Sequence, residues 1–181
     1  MFKAYYQLTK PGIIYGNAIT AIAGFLLASK GIFDIKLFFG MLAGLSLVIA
    51  SACVFNNIYD SEMDKKMERT KNRAIVSGVI PKFKAVIFAT TLLILGVLFL
   101  SLFSNPLSLF TSLLGFVTYV FIYTPLKSKT VHATLIRSFP GAMPIVTGYV
   151  AAGNKFDTGA LLLFLILVFC QTPHFYAIAM Y

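Results

Sequence analysis

The chain has 181 residues, of which 59% are hydrophobic and 12% charged, and its mean hydropathy of +0.86 lies far above that of a soluble domain of this size. Its formal charge of +9 would raise nucleic acid as a partner for a water-soluble chain. Here the cations sit in short gaps between long apolar runs, where they act as topology signals, and no DNA-binding pattern accompanies them. A soluble domain and a nucleic-acid-binding domain are both excluded in favour of an all-α integral membrane protein whose partner is the lipid bilayer.

Six apolar runs approach the length of about 20 residues needed to cross hydrocarbon, over 11–28, 37–59, 85–103, 107–123, 131–152 and 159–181. They are too long for strands and lack period-two alternation, so one transmembrane helix bundle over 1–181 is expected. Lys3 and Lys10 precede the first run as they would in a secretory signal, but further spans follow at once and no Arg/Ser-rich transit segment is present. A bacterial inner (plasma) membrane is the expected location. In a six-span arrangement twelve cations fall on one side, from Lys3 and Lys10 through the 60–84 loop to Lys127, Lys129 and Arg137. Lys30, Lys36 and Lys155 fall on the other, which puts the N-terminus in the cytoplasm.

Gly12–Gly16 and Gly40–Gly44 each spell GxxxG, the spacing of close helix packing in lipid. Pro140-Gly141, Pro144 and Pro173 interrupt apolar runs. A helix broken inside the membrane frees polar backbone groups, so these positions point either to a cavity wall or to simple kinks. Cys53 and Cys170 both lie inside apolar runs and read as small core residues rather than a disulfide framework.

The stretch NNIYDSEMDKKMERTKNR over 56–73 carries the chemistry. Asn56, Asp60 and Asp64 are four residues apart, and four steps of roughly 100° return a helix almost to its starting direction. Two carboxylates and an amide then share one face, an oxygen-rich ladder suited to Mg2+, which takes one or two protein carboxylates and completes its shell with water and phosphate oxygens. Arg69, Lys71 and Arg73 follow, cations able to grip a polyanion such as a diphosphate. The rival reading is a solvated charged loop that only fixes orientation. Lys10 and Lys127, at the mouths of other spans, have the same two readings.

NxxxDxxxD at the end of an apolar helix resembles the first aspartate-rich motif of the UbiA superfamily of intramembrane prenyltransferases. The longer string, Asn56-Asn57 with Asp60, Asp64, Met67, Glu68, Arg69, Thr70 and Arg73, resembles its haem-farnesylating branch, and the likeness runs from Leu8-Thr9-Lys10-Pro11 to Gln171-Thr172-Pro173-His174-Phe175. The resemblance implies a UbiA-type bundle with Asn56, Asp60 and Asp64 on Mg2+, and a diphosphate held also by Lys10, Arg69, Lys71, Arg73 and Lys127. It implies farnesyl transfer from farnesyl diphosphate to a vinyl group of haem B to give haem O, and a functional link to terminal oxidase assembly.

His174, deep in the sixth run within the QTPHF string, is either a haem contact or a histidine bonded to a neighbouring carbonyl. Phe55, Tyr119 and Tyr123 are either packing or ring faces toward an allylic cation. Arg137 stands where the family usually has glycine. Arginine in an early turn of a membrane helix needs water or a partner. The resemblance also implies about nine spans, with a second acidic motif after the sixth, so the chain is expected to match the N-terminal two-thirds of a longer domain and to turn over poorly alone. A UbiA-type transfer to an aromatic or quinone precursor, a cation-binding transporter subunit and a non-catalytic membrane fragment are the competing readings.

Overall fold

The structure, a computed structural model, describes residues 1–68, 70–130 and 132–180, without the side chains of Thr134, His174, Phe175, Ile178, Ala179 and Met180. It is helical: α1 (Phe2–Leu8), α2 (Pro11–Ser29), α3 (Ile35–Asp64), α4 (Lys82–Phe103), α5 (Pro106–Val117), a π-helical segment (Thr118–Tyr123), α6 (Thr124–Leu126), α7 (Ala133–Gly153) and α8 (Thr158–Met180). Six long helical stretches fall where the apolar runs lie, with α5, the π segment and α6 forming one of them. Among the described residues, four have the length and apolarity to cross a membrane: Pro11–Ser29, Ile35–Asp64, Lys82–Phe103 and Pro106–Leu126. The short α1 has no counterpart among the expected spans.

The decisive element is α3. Asp34 caps it, accepting from the Leu37 amide at 3.0 Å, and the helix then runs for 30 residues. At about 1.5 Å per residue it is about 45 Å long, against a hydrocarbon core of about 30 Å. The surplus turns continue past Tyr59, where the apolar run ends, to Asp64. Asn56, Asp60 and Asp64 therefore lie within unbroken helix, and the four-residue spacing acts as a register.

Two close crossings build the bundle. At Gly24 and Gly148 a β-carbon would strike the backbone carbonyls of Ile145 and Ala21, so α2 and α7 meet backbone to backbone. Gly40 and Gly44 on α3 receive Phe103, Leu100 and the Gly96 carbonyl of α4, as their GxxxG spacing predicts. Gly12 and Gly16 differ. Nothing among the described residues lies within 4 Å of a β-carbon at either, so this GxxxG makes no helix contact; α2 packs through its later turns instead. Phe25, Met41, Leu45, Val48 and Leu100 fill the core between α2, α3 and α4, while Leu98, Leu102, Ile166 and Phe169 point outward, as lipid-facing residues do. Cys53 is buried, but Cys170 is exposed on the outer face of α8, contrary to its reading as a core residue; among the described residues both thiols are free.

The helix through Pro106 is capped by Asn105, whose side chain accepts from the Ser108 amide at 2.8 Å and donates to the Val150 and Ala151 carbonyls of α7. It widens into a π-helical turn ahead of Pro125, a residue without the N–H that a regular turn needs. The Tyr119 carbonyl accepts from both the backbone amide of Thr124 and its hydroxyl, the latter at 2.8 Å.

Candidate functional site

The three ladder residues are all buried in the last turns of α3: Asn56 is 2% exposed, Asp60 8% and Asp64 5%. That removes the solvated-loop reading for these positions, because a buried carboxylate without a partner is costly enough to be rare. Each rung meets a cation from a different part of the chain. Lys10, between α1 and α2, donates to Asn56 Oδ1 at 2.7 Å. Lys127, just past α6, pairs with Asp60. Arg73, in the loop after α3, reaches Asp64 Oδ2 at 2.6 Å and Asn57 Oδ1 at 3.5 Å.

Local chemistry brings these cations in. Lys10 adopts a left-handed backbone conformation with φ 52°, uncommon for a residue with a β-carbon, and so turns the chain between two helices at the ladder. The turn is tied to α3 by Asn57, which donates to the Leu8 carbonyl at 2.8 Å. Thr70 folds the loop back by donating to the Asp64 carbonyl at 3.2 Å, which brings Arg73 into reach. Thr124 accepts from Asn56 Nδ2 at 3.2 Å, fixing the amide so that its oxygen faces Lys10. Burial pushes the Lys10 ammonium below the usual lysine range; Cys53 opposes it, and the Arg73 and Lys127 charges add to the fall.

Other expected residues stand apart. The Lys71 ammonium pairs with Glu68 at 2.5 Å on the surface, away from the ladder. Arg69 and the His174 side chain lie outside the described residues. Pro173 is exposed, with α8 running through it as helix, so the expectation of a cavity wall fails there. It holds at Pro140, Gly141 and Pro144, which line a cavity of about 150 Å³ between α2, α3, α5, α7 and α8. Tyr119 and Arg137 also line it, and Arg137 interacts with the Tyr123 side chain, the partner its position required. The Tyr119 and Tyr123 rings lie 5.3 Å apart, and Phe55 packs edge-on against Phe116.

The donor set suits magnesium. Asn56, Asp60 and Asp64 offer hard oxygen atoms on one helix face, a partial shell. Such a partial shell, to be completed by water and phosphate, is what Mg2+ prefers. Sequence reasoning missed Thr124, the Asn57–Leu8 tie and the polar residues of the cavity, Asn17 and Ser112. The one available signal for Ser112 was a small polar residue within an apolar helix.

The UbiA prenyltransferase family model matches residues 17–181. The chain is 52% identical to the protoheme IX farnesyltransferase of Sodalis glossinidius (strain morsitans) over 182 aligned positions, covering 100% of this chain and 61% of the relative. It is 50% identical to the protein of the same name from Protochlamydia amoebophila (strain UWE25), covering 100% of this chain and 64% of the relative. The chain thus spans about three fifths of the length of these curated relatives. A solved structure concerning digeranylgeranylglyceryl phosphate synthase in membranes superposes with a TM-score of 0.82 at 26% identity, over 94% of this chain and 60% of that one. A UbiA homolog from Archaeoglobus fulgidus, bound to DMAPP and Mg2+, superposes with a TM-score of 0.79 at 15% identity, over 91% of this chain and 60% of that one, a likeness of fold.

Proposed function

The chain belongs to the UbiA prenyltransferase family, and on that premise we propose that it transfers a farnesyl group from farnesyl diphosphate to a vinyl group of haem B, making haem O. The observation that carries this reading is the convergence of Lys10, Arg73 and Lys127, from three separate segments, on the buried rungs Asn56, Asp60 and Asp64. Identity of about half to proteins named protoheme IX farnesyltransferase supports the choice of donor and acceptor.

Asn56, Asp60 and Asp64 would hold the magnesium ion. When bound, it supplies positive charge to the diphosphate as the leaving group gathers electrons. Lys10, Arg73 and Lys127 grip diphosphate oxygens, with Arg69 as a further candidate along the same loop. The bond from the allylic carbon to the diphosphate oxygen breaks, the vinyl π electrons form a carbon–carbon bond to that carbon, and water adds to the resulting cation with loss of a proton. Tyr119 and Tyr123, whose rings lie 5.3 Å apart, are candidates to stabilise the allylic cation through their ring faces. A cavity inside the bundle keeps bulk water from quenching the allylic cation. His174 is a candidate haem contact. The site opens to the cytoplasm of a bacterial cell, whose inner membrane holds the chain with its N-terminus inside, and haem O production links it to a terminal oxidase.

The test is product analysis in nanodiscs supplied with farnesyl diphosphate, Mg2+ and haem B. Haem O is the expected product, and Asp60→Asn or Asp64→Asn lowers its rate by about a hundredfold or more while the helix content is unchanged. Parent-rate diphosphate release in the double variant refutes the site assignment. A prenylated phenol in place of haem O refutes the acceptor.

A further inference from the structure

The cavity between α2, α3, α5, α7 and α8 carries polar atoms that diphosphate binding does not use. Ser112 on α5 is 3% exposed, and among the described residues its hydroxyl has no hydrogen-bond partner. The carbonyl that a helical serine ordinarily takes is that of Ser108, one turn back. It already accepts from the Thr111 hydroxyl at 3.1 Å besides its own helical amide, so Ser112 keeps an unused donor on the cavity wall. The Gln171 side-chain oxygen on α8 is also buried and unpartnered. Gln171 Nε2 donates to the Gly141 carbonyl at 3.1 Å, which fixes the amide with Oε1 as a bare acceptor. Gly141 makes room for it, since a β-carbon there would lie 2.3 Å from Oε1. Asn17 on α2 adds an oxygen to the same wall, its Nδ2 being held by the Ile13 carbonyl at 2.8 Å.

A donor on one wall and acceptors on two others are not met by a prenyl chain, which has no polar atoms. Water, with two donors and two acceptors, satisfies all of them, and buried polar groups of this kind ordinarily hold it. Cys53 and Tyr119 line the same cavity, and Cys53 lies about one turn before Asn56 on α3, so the cavity adjoins the first rung of the ladder. Farnesylation of a vinyl group needs water that is fixed in place. Before the carbon–carbon bond forms, water that reaches the allylic cation ends the transfer. Once the vinyl group has bonded to that carbon, the new cation has to take up water to become an alcohol. Without water at hand it loses a proton from the neighbouring carbon and becomes an alkene.

We propose that Ser112 and Gln171 are positioning residues that hold the water which completes the transfer. Ser112 donates to a short file of ordered water and Gln171 Oε1 accepts from it, which leaves a water lone pair free to face the carbon that bears the charge. The water oxygen forms the new carbon–oxygen bond. Its released proton passes along the file to the freed diphosphate, which took the electron pair of the broken carbon–oxygen bond. This role rests on the haem-farnesylating reading of the ladder and adds to it the source of the hydroxyl group.

The test is the product ratio in nanodiscs supplied with farnesyl diphosphate, Mg2+ and haem B, read by mass spectrometry as haem O against its alkene, which is lighter by one water. The parent chain is expected to give haem O. Ser112→Ala and Gln171→Met each shift the ratio toward the alkene by about 10-fold, the worth of one hydrogen bond to the water, and Ser112→Thr restores it. The ratio does not depend on the overall rate, so a slower variant still reports, and farnesyl diphosphate affinity equal to the parent's shows that each variant is folded. An unchanged ratio in both folded variants overturns the proposal while leaving haem farnesylation in place. Experimental density of the parent chain is a check that needs no turnover. Water within hydrogen-bond distance of Ser112 Oγ and Gln171 Oε1 is expected there, and hydrocarbon packed against both atoms overturns the proposal. A parent chain that makes neither product removes the farnesylation reading, and the role of the two residues goes with it.

Discussion

Arg73→Ala isolates the ladder's dependence on its cations. Arg73 Nη1 lies 2.6 Å from Asp64 Oδ2, and the Asp64 side chain is 7% exposed against 31% for Arg73. Removing one partner of a fully buried pair costs about 3–5 kcal/mol, because the survivor is an uncompensated buried charge. Arg73 is open enough to water that the figure falls to about 1–3 kcal/mol. In a chain of this size about 1 kcal/mol moves the thermal midpoint by about 2–4 °C, so a loss of about 2–12 °C is expected for the single variant. Asp64→Asn removes the charge that Arg73 balances, and the double variant Asp64→Asn with Arg73→Ala should recover most of the midpoint. The assay is a double-mutant cycle by thermal unfolding at one scan rate in one lipid. Additive shifts in the cycle, or an unchanged midpoint in Arg73→Ala, would refute the claim that this contact is a buried pair.

Two further predictions bear on the glycines and on pH. Gly148→Ala drives a β-carbon into the Ala21 carbonyl and should destabilise the α2–α7 crossing by about 1–3 kcal/mol, whereas Gly16→Ala enters open space in a helix and should be neutral or stabilising by up to about 1 kcal/mol; thermal midpoints of the pair decide, and equal effects contradict the packing. Because burial holds the Lys10 ammonium below the usual lysine range, its charge is lost earlier as pH rises. Affinity for a prenyl diphosphate should therefore fall on the alkaline side before an ordinary lysine would titrate, and Lys10→Arg should carry that limb to higher pH. A limb that stays in place in the arginine variant assigns it to another group.

The spans were legible because apolar runs of membrane length leave few alternatives to helix, and the ladder was legible because its spacing matches the helical turn. The continuation of α3 to Asp64 follows from the same register, although hydropathy alone ends the run near Tyr59. GxxxG was legible as a packing-competent face but not as a packed one. Gly40–Gly44 meets α4, while Gly12–Gly16 meets nothing among the described residues, and the difference lies in the neighbour rather than in the motif. The same holds for the prolines: Pro140 and Pro144 face inward on α7, whereas Pro173 faces outward on α8.

What sequence could not provide is the identity of the groups that meet the ladder. Lys10 lies 46 positions from Asn56, and Lys127 lies 67 from Asp60, so neither pairing has a local signature. Each is instead enforced by a small backbone device: the left-handed turn at Lys10, the π-helical widening before Pro125 that sets Lys127 beyond α6, and the Thr70 bond that turns the loop bearing Arg73. All three devices act at helix ends, where backbone groups lack intrahelical partners and geometry is easily redirected. The ladder presents oxygen atoms because of local spacing, but cations meet it only because three chain segments are bent toward it. A substitution that straightens one of those segments should therefore weaken diphosphate binding without touching any rung.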